Sequence, residues 1–223
     1  MSDKFLVEIE QNRHVSIKID SSDKPGPLSG FIFLLAHGSS NDMNHPLLEN
    51  IALFFAKNGG IAIRFNFLFR KENVYTKSVK KDNALTAYTI YKYAQKKYES
   101  EKKKIIVCGK SLGAKVFGTL IKDKILFPSG FISLGYPLHA KNGFKNVKSD
   151  VPLSIDLPSL FFTGENDELC RYELIKDLLQ KKNNSKLILI ENTDHGLSYN
   201  KSYTDEIFKI ILSCVIKWVN NCL

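Results

Sequence analysis

Ser111 stands between Gly109 and Gly113 in the stretch KIIVCGKSLGAKV, Lys104 to Val116, directly after an apolar run. A G-x-S-x-G turn between a strand and a helix lifts its serine hydroxyl above the sheet, where it can act as a nucleophile. Glycine on either side lets neighbouring backbone come close. The same letters contain GKS, a piece of a phosphate-binding loop. That loop needs a glycine five residues before Gly109, and Lys104 stands there instead. A serine nucleophile also needs a base, and the base needs an orienting group. LPSLFFTGENDEL puts Asp167 just beyond an apolar strand, with Glu165 and Glu168 as competitors. LILIENTDHGLS puts His195 beyond the following strand. Ser111, Asp167 and His195 thus occur in the chain order of a triad built on an α/β sheet. Asp194 adjoins His195 and is expected to face solvent or to brace the loop.

A tetrahedral oxyanion needs backbone N–H donors. Leu112 opens the helix after the turn, where N–H groups are unpaired and negative charge is favoured. The second donor is expected from AHGSSNDMNHP, Ala36 to Pro46, after the first central strand. Gly38 allows close approach there, and Ser39 or Ser40 presents the N–H. His37 is read as structural. Lys110, Phe67 and Tyr136 are expected at the substrate rim, with Phe69, Leu138, Arg70 and Lys71 beside them. These cations suggest a preference for acidic acyl groups. The connection from Gly135 to Leu157 is too short for a multi-helix cap, so an open site is expected.

The elements that must position these residues alternate along the chain. FLVEI (Phe5 to Ile9) and HVSIKID (His14 to Asp20) alternate with period two, as an antiparallel pair exposed on one face does. FIFLLA (Phe31 to Ala36) is continuously apolar, as a strand covered on both faces must be. Further strands are expected at Ile61 to Phe67, Lys103 to Cys108, Gly130 to Leu134, Leu160 to Thr163 and Leu187 to Ile190. Helices are expected from about Pro46 to Lys57, Asp82 to Tyr98, Leu112 to Lys122, Tyr172 to Gln180 and Tyr203 to Asn220. Strands separated by helices imply a mostly parallel sheet of about eight strands with helices on both faces.

The chain has 223 residues, enough to bury a core as one domain over 1–223. Hydrophobic residues are 43% and charged residues 25% of it, the balance of a globular protein. No apolar run reaches the roughly 18 residues of a membrane helix, and the first residues lack the h-region of a signal peptide. A cytoplasmic protein is expected, with no membrane partner. Cys108, Cys170, Cys214 and Cys222 form no CxxC pair and no metal-ligand spacing. Free thiols are expected, with no metal and no cofactor. The net charge of +9 comes from scattered lysines without a nucleic-acid reader motif, so no nucleic-acid partner is expected. The last helix has one apolar stripe, enough to pack on the sheet, and a monomer is expected.

LLAHGSSNDMNHPLLENIALFFAKNGGIAIRFNF, VCGKSLGAKV, LGYPLH and TGENDEL resemble the small α/β-hydrolase-like proteins related to dienelactone hydrolases, over about Phe31 to Trp218. The resemblance implies an α/β-hydrolase fold without a large cap domain and a triad at Ser111, Asp167 and His195. Its pattern also keeps a charged pair, here Asp42 and Arg64, which would brace the oxyanion loop against the next strand. The function implied is a serine hydrolase of the carboxylesterase or thioesterase kind, cleaving a small-molecule ester or thioester. The alternative is a catalytically silent fold serving as a binding or interaction module.

Overall fold

Continuously apolar strands require cover on both faces, and the chain supplies it in alternating order. In the computed structural model, which describes residues 2–70, 79–141, 143 and 146–223, eight strands form one sheet. They are β1 (Ser2–Glu10), β2 (Arg13–Asp20), β3 (Phe31–Ala36), β4 (Ile61–Phe65), β5 (Lys104–Lys110), β6 (Gly130–Leu134), β7 (Ser159–Gly164) and β8 (Ser185–Ile190). Their spatial order is β1-β2-β4-β3-β5-β6-β7-β8. β2 runs antiparallel to both its neighbours, and the remaining pairs are parallel.

The helices are α1 (Pro46–Lys57), α2 (Val79–Lys97), α3 (Leu112–Lys122), α4 (Asp150–Ser154), α5 (Tyr172–Leu179) and α6 (Asp205–Cys222). α1 and α6 cover one face of the sheet: Leu48, Ile51, Phe55, Ile211 and Trp218 pack on Phe33, Cys108 and Ile132. α2, α3 and α5 cover the other, where Ile90, Phe117 and Ile175 meet residues such as Leu34, Val107 and Phe161. Period-two alternation along β5 sends Ile105 and Val107 to the second face and Ile106 and Cys108 to the first.

The expected architecture holds, with altered boundaries. β4 ends at Phe65, short of the expected Phe67, because Leu68–Arg70 turns into a 3₁₀ segment. The connection after β6 carries the short helix α4, which sequence periodicity did not mark, and no large cap. Among the described residues no helix is long and apolar enough to cross a membrane.

Candidate active site

β5 runs straight into α3, and Ser111 is the one residue between them. Its φ of 49° and ψ of −109° lie where a side chain is strained. The surroundings fix that conformation. Ser111 N–H donates to Leu134 O at 3.2 Å, tying the turn to the end of β6. A Cβ on Gly109 would overlap Ala114 N, and one on Gly113 would overlap Ala36 O. Only glycine lets α3 close onto β5 and β3 this tightly.

The acid comes from the loop after β7. Asp167 is buried, its N–H donates to Gly164 O, and its Oδ1 accepts from Leu169 N–H at 2.8 Å. The base comes from the loop after β8. His195 Nδ1 lies 2.9 Å from both carboxylate oxygens of Asp167, and Nε2 lies 2.8 Å from Ser111 Oγ. An ionised carboxylate only accepts, so Nδ1 carries the proton and Nε2 is left to accept from the serine hydroxyl. The three residues, 84 and 28 positions apart in sequence, form one hydrogen-bonded chain.

The competing acids have other work. Glu165 Oε2 accepts Asn192 N–H at 2.8 Å, and Glu168 pairs with Lys141 at 2.7 Å. Asp194 is the loop brace: its Oδ1 accepts Gly196 N–H, Ser198 N–H and the Ser198 hydroxyl. Asn166 N–H donates to Thr193 O and Glu165 N–H to Ile190 O, so the acid and base loops are joined by main-chain bonds.

The loop after β3 passes over the serine. Gly38 abuts the Ser111 Cβ. His37 is fully buried beneath it. Its Nε2 accepts Phe67 N–H at 3.0 Å, so Nδ1–H donates to Gly38 O at 2.7 Å. Burial lowers its pKa to about 4, which keeps the ring neutral. Ser39 and Ser40 are exposed. The Arg70 guanidinium donates to Ser39 O and Asn41 O, fastening this loop from outside.

Three expectations about the surroundings are corrected. Phe67 and Tyr136 do not form a rim: at 0% and 2% exposure they pack inside, Phe67 against His37 and Phe65, Tyr136 against Phe161. Lys110 is 5% exposed, because the β5 register turns it inward toward the α1 and α6 face. Asp42 does not pair with Arg64. Its Oδ1 accepts Asn44 N–H, while Arg64 is buried against Asp20 at 2.8 Å and reaches Glu49 at 3.2 Å. Arg64 still supports the loop after β3, by donating to Met43 O at 3.0 Å. Of the other expected rim residues, Leu138 is buried, Phe69 half-buried and Arg70 engaged as above; Lys71 lies outside the described residues. A cleft of about 670 Å³ opens between the C-terminal half of α2 and the start of β5, around Tyr98, Lys102 and Phe127. It lies at the end of the sheet away from Ser111 and does not belong to this array.

The same fold occurs in solved structures. The chain superposes on an esterase of Pyrococcus furiosus with a TM-score of 0.78 at 16% identity, covering 100% of this chain and 91% of that one. It superposes on a lidless α/β serine hydrolase of Xanthomonas campestris with a TM-score of 0.74 at 15% identity, covering 100% and 95%. For the dienelactone hydrolase of Anabaena variabilis the TM-score is 0.71 at 13% identity, covering 100% and 99%. Identities this low establish the shared fold. The model of the alpha/beta hydrolase domain family matches residues 29–219, which with the elbow at Ser111 and the strand order places this chain in that family.

Proposed function

We propose that this protein is a serine hydrolase that cleaves small acyl esters or thioesters through an acyl-enzyme. The observation that carries the reading is the single line of hydrogen bonds from Asp167 through His195 to the Ser111 hydroxyl. His195 Nε2 takes the hydroxyl proton as Oγ bonds to the acyl carbon. Asp167 holds the tautomer and offsets the charge of the imidazolium. The imidazolium then gives its proton to the leaving alcohol or thiol as the carbon–heteroatom bond breaks. A water, deprotonated by the same nitrogen, attacks the acyl carbon, and Ser111 recovers its proton.

Leu112 N–H, at the first position of α3, is one oxyanion donor. Ser39 N–H is the second. His37 fixes the Gly38 carbonyl, and a trans peptide sends the following N–H the opposite way. Ser40 is the neighbouring candidate in the same loop. Such a donor accounts for about 3–4 kcal/mol of barrier. No large cap crosses the site, which suits short or flexible acyl groups. The fold's esterase and dienelactone hydrolase neighbours lend support. Lys110 is turned inward and the Arg70 guanidinium is engaged by the loop, so neither of these two cations is presented free to an acidic acyl group.

The test is labelling with a fluorophosphonate probe, followed by a panel of short acyl esters and thioesters. Labelling is expected in the parent protein and absent in Ser111→Ala, with turnover reduced at least about 10⁴-fold in Ser111→Ala and His195→Ala. Labelling that persists in Ser111→Ala overturns the nucleophile. A folded parent protein that never labels is the silent module.

A further inference from the structure

β1 is an outer strand of the sheet. β2 pairs along one side of it, and among the described residues nothing pairs along the other. That side presents a row of main-chain N–H and C=O groups able to take up another strand. The side chains there are apolar at the centre: Phe5 is 43% and its neighbour Leu6 65% exposed. Period two splits the strand between two faces. Val7 and Ile9 turn to the core that α2 covers, and Phe5 shares their face. Lys4, Leu6 and Glu8 lie exposed on the other. On that exposed face Lys18 of β2 stands directly opposite Lys4, Ser16 opposite Leu6 and His14 opposite Glu8. Like charges directly opposite destabilise a ladder, and among the described residues no carboxylate pairs with Lys4 or Lys18. Glu8 Oε1 accepts Asn12 N–H at 3.1 Å, which leaves Oε2 for a further donor.

We propose that a second copy of this chain covers this edge: two β1 strands pair antiparallel about a two-fold axis at Leu6, and one sheet runs through both copies. In that register Leu6 meets Leu6, Phe5 meets Val7 and Lys4 meets Glu8, the last two pairs occurring twice by symmetry. Glu8 of the second copy supplies the opposite charge that Lys4 and Lys18 lack. Phe5 gains cover on the face where Val7 already packs. The span from Lys4 to Glu8 precedes the register shift between Glu8 and Glu10, so the pairing stays regular along it. A lysine on an edge strand commonly keeps other strands away; here the same strand carries the carboxylate that answers it, at the position the two-fold requires. A slip of one residue would set Lys4 against Val7 or Ile9 and join the covered face of one copy to the exposed face of the other. Each copy has one β1 edge, so assembly closes at two. A single apolar stripe on α6 gave no reason to expect a partner; β1 does. The pairing is independent of the hydrolase reading, because Ser111 follows β5, inside the sheet.

The experiment is sedimentation equilibrium on the parent protein and on charge-reversed variants. The parent is expected to be a dimer that dissociates in the micromolar range, since an interface of one strand pair is small. Lys4→Glu and Glu8→Lys should each weaken it about tenfold or more, because each turns two attractions into two repulsions. Mixed in equal amounts, these two variants should form a heterodimer about as tight as the parent, each copy supplying the charge the other lacks. Leu6→Cys should cross-link copies on mild oxidation, its two Cα atoms lying about 4.5–5.5 Å apart at the centre, whereas the parent and Lys4→Cys should not. Should a charge variant not fold, the contrast between Leu6→Cys and Lys4→Cys reads the same register. A parent protein that stays monomeric into the high micromolar range overturns the inference. So does a dimer that Lys4→Glu and Leu6→Arg leave unchanged, since it forms through another surface.

Discussion

Which nitrogen carries a proton decides what each histidine of this site does. His195 has a carboxylate at Nδ1 and a hydroxyl at Nε2; His37 has a carbonyl at Nδ1 and an amide N–H at Nε2. The first can cycle a proton, whereas the second is locked neutral as a strut beneath Gly38. His37→Phe should therefore slow fluorophosphonate labelling of Ser111 by about tenfold to a hundredfold by loosening the oxyanion loop, with the pH profile unmoved. Asp167→Asn should cost about 10⁴ in turnover by reversing the His195 tautomer, while Glu165→Gln, whose side chain accepts from Asn192 N–H, should stay within severalfold. Ester turnover across the three variants checks both claims. Ser111, Asp167 and His195 were legible in sequence because each follows an apolar strand within a few residues. Lys110 was not, because a lysine beside a loop reads as solvated until strand register shows which face it enters.

At the scale of elements, the elbow depends on contact between α3 and β3. Gly113→Ala would press a methyl group onto Ala36 O and should cost about 3 kcal/mol, read as a lower denaturation midpoint together with lost labelling. Arg64 joins β4 to β2 through Asp20, to α1 through Glu49 and to the loop after β3 through Met43 O. Arg64→Leu strands the buried Asp20 carboxylate and should cost about 3–5 kcal/mol. Arg64→Leu with Asp20→Leu should recover part of that stability, which chemical denaturation would show. The strands and helices were readable from period and punctuation. The Arg64 partner was not: Asp42 is near in sequence, but β2 returning antiparallel along β4 sets Asp20 opposite Ala62, and long-range register leaves no local trace. The short helix α4 escaped for a related reason, since five residues are too few to show a period.

The molecule as a whole should be acid-sensitive in a definite window. His37 is neutral in the fold with its pKa lowered to about 4 by burial, against about 6.5 when unfolded. Its contribution is complete above pH 6.5 and is lost as the pH falls through 4, amounting to about 3 kcal/mol for a shift of this size. His45, lowered for the same reason, acts in the same direction. Melting temperature should fall between pH 6.5 and 4, with a shallower slope in His37→Phe. The bonds that join the loops after β7 and β8 have a consequence for how activity is lost. β8 is the half-exposed edge of the sheet, and Asn166, Glu165 and Asn192 fasten Asp167 and His195 to that same margin. Ser111 belongs to the sheet's middle. Fraying at this edge would carry off Asp167 and His195 together and leave Ser111 seated in an intact core. On warming, amide exchange in both loops should rise as one event, and inactivation should run ahead of unfolding.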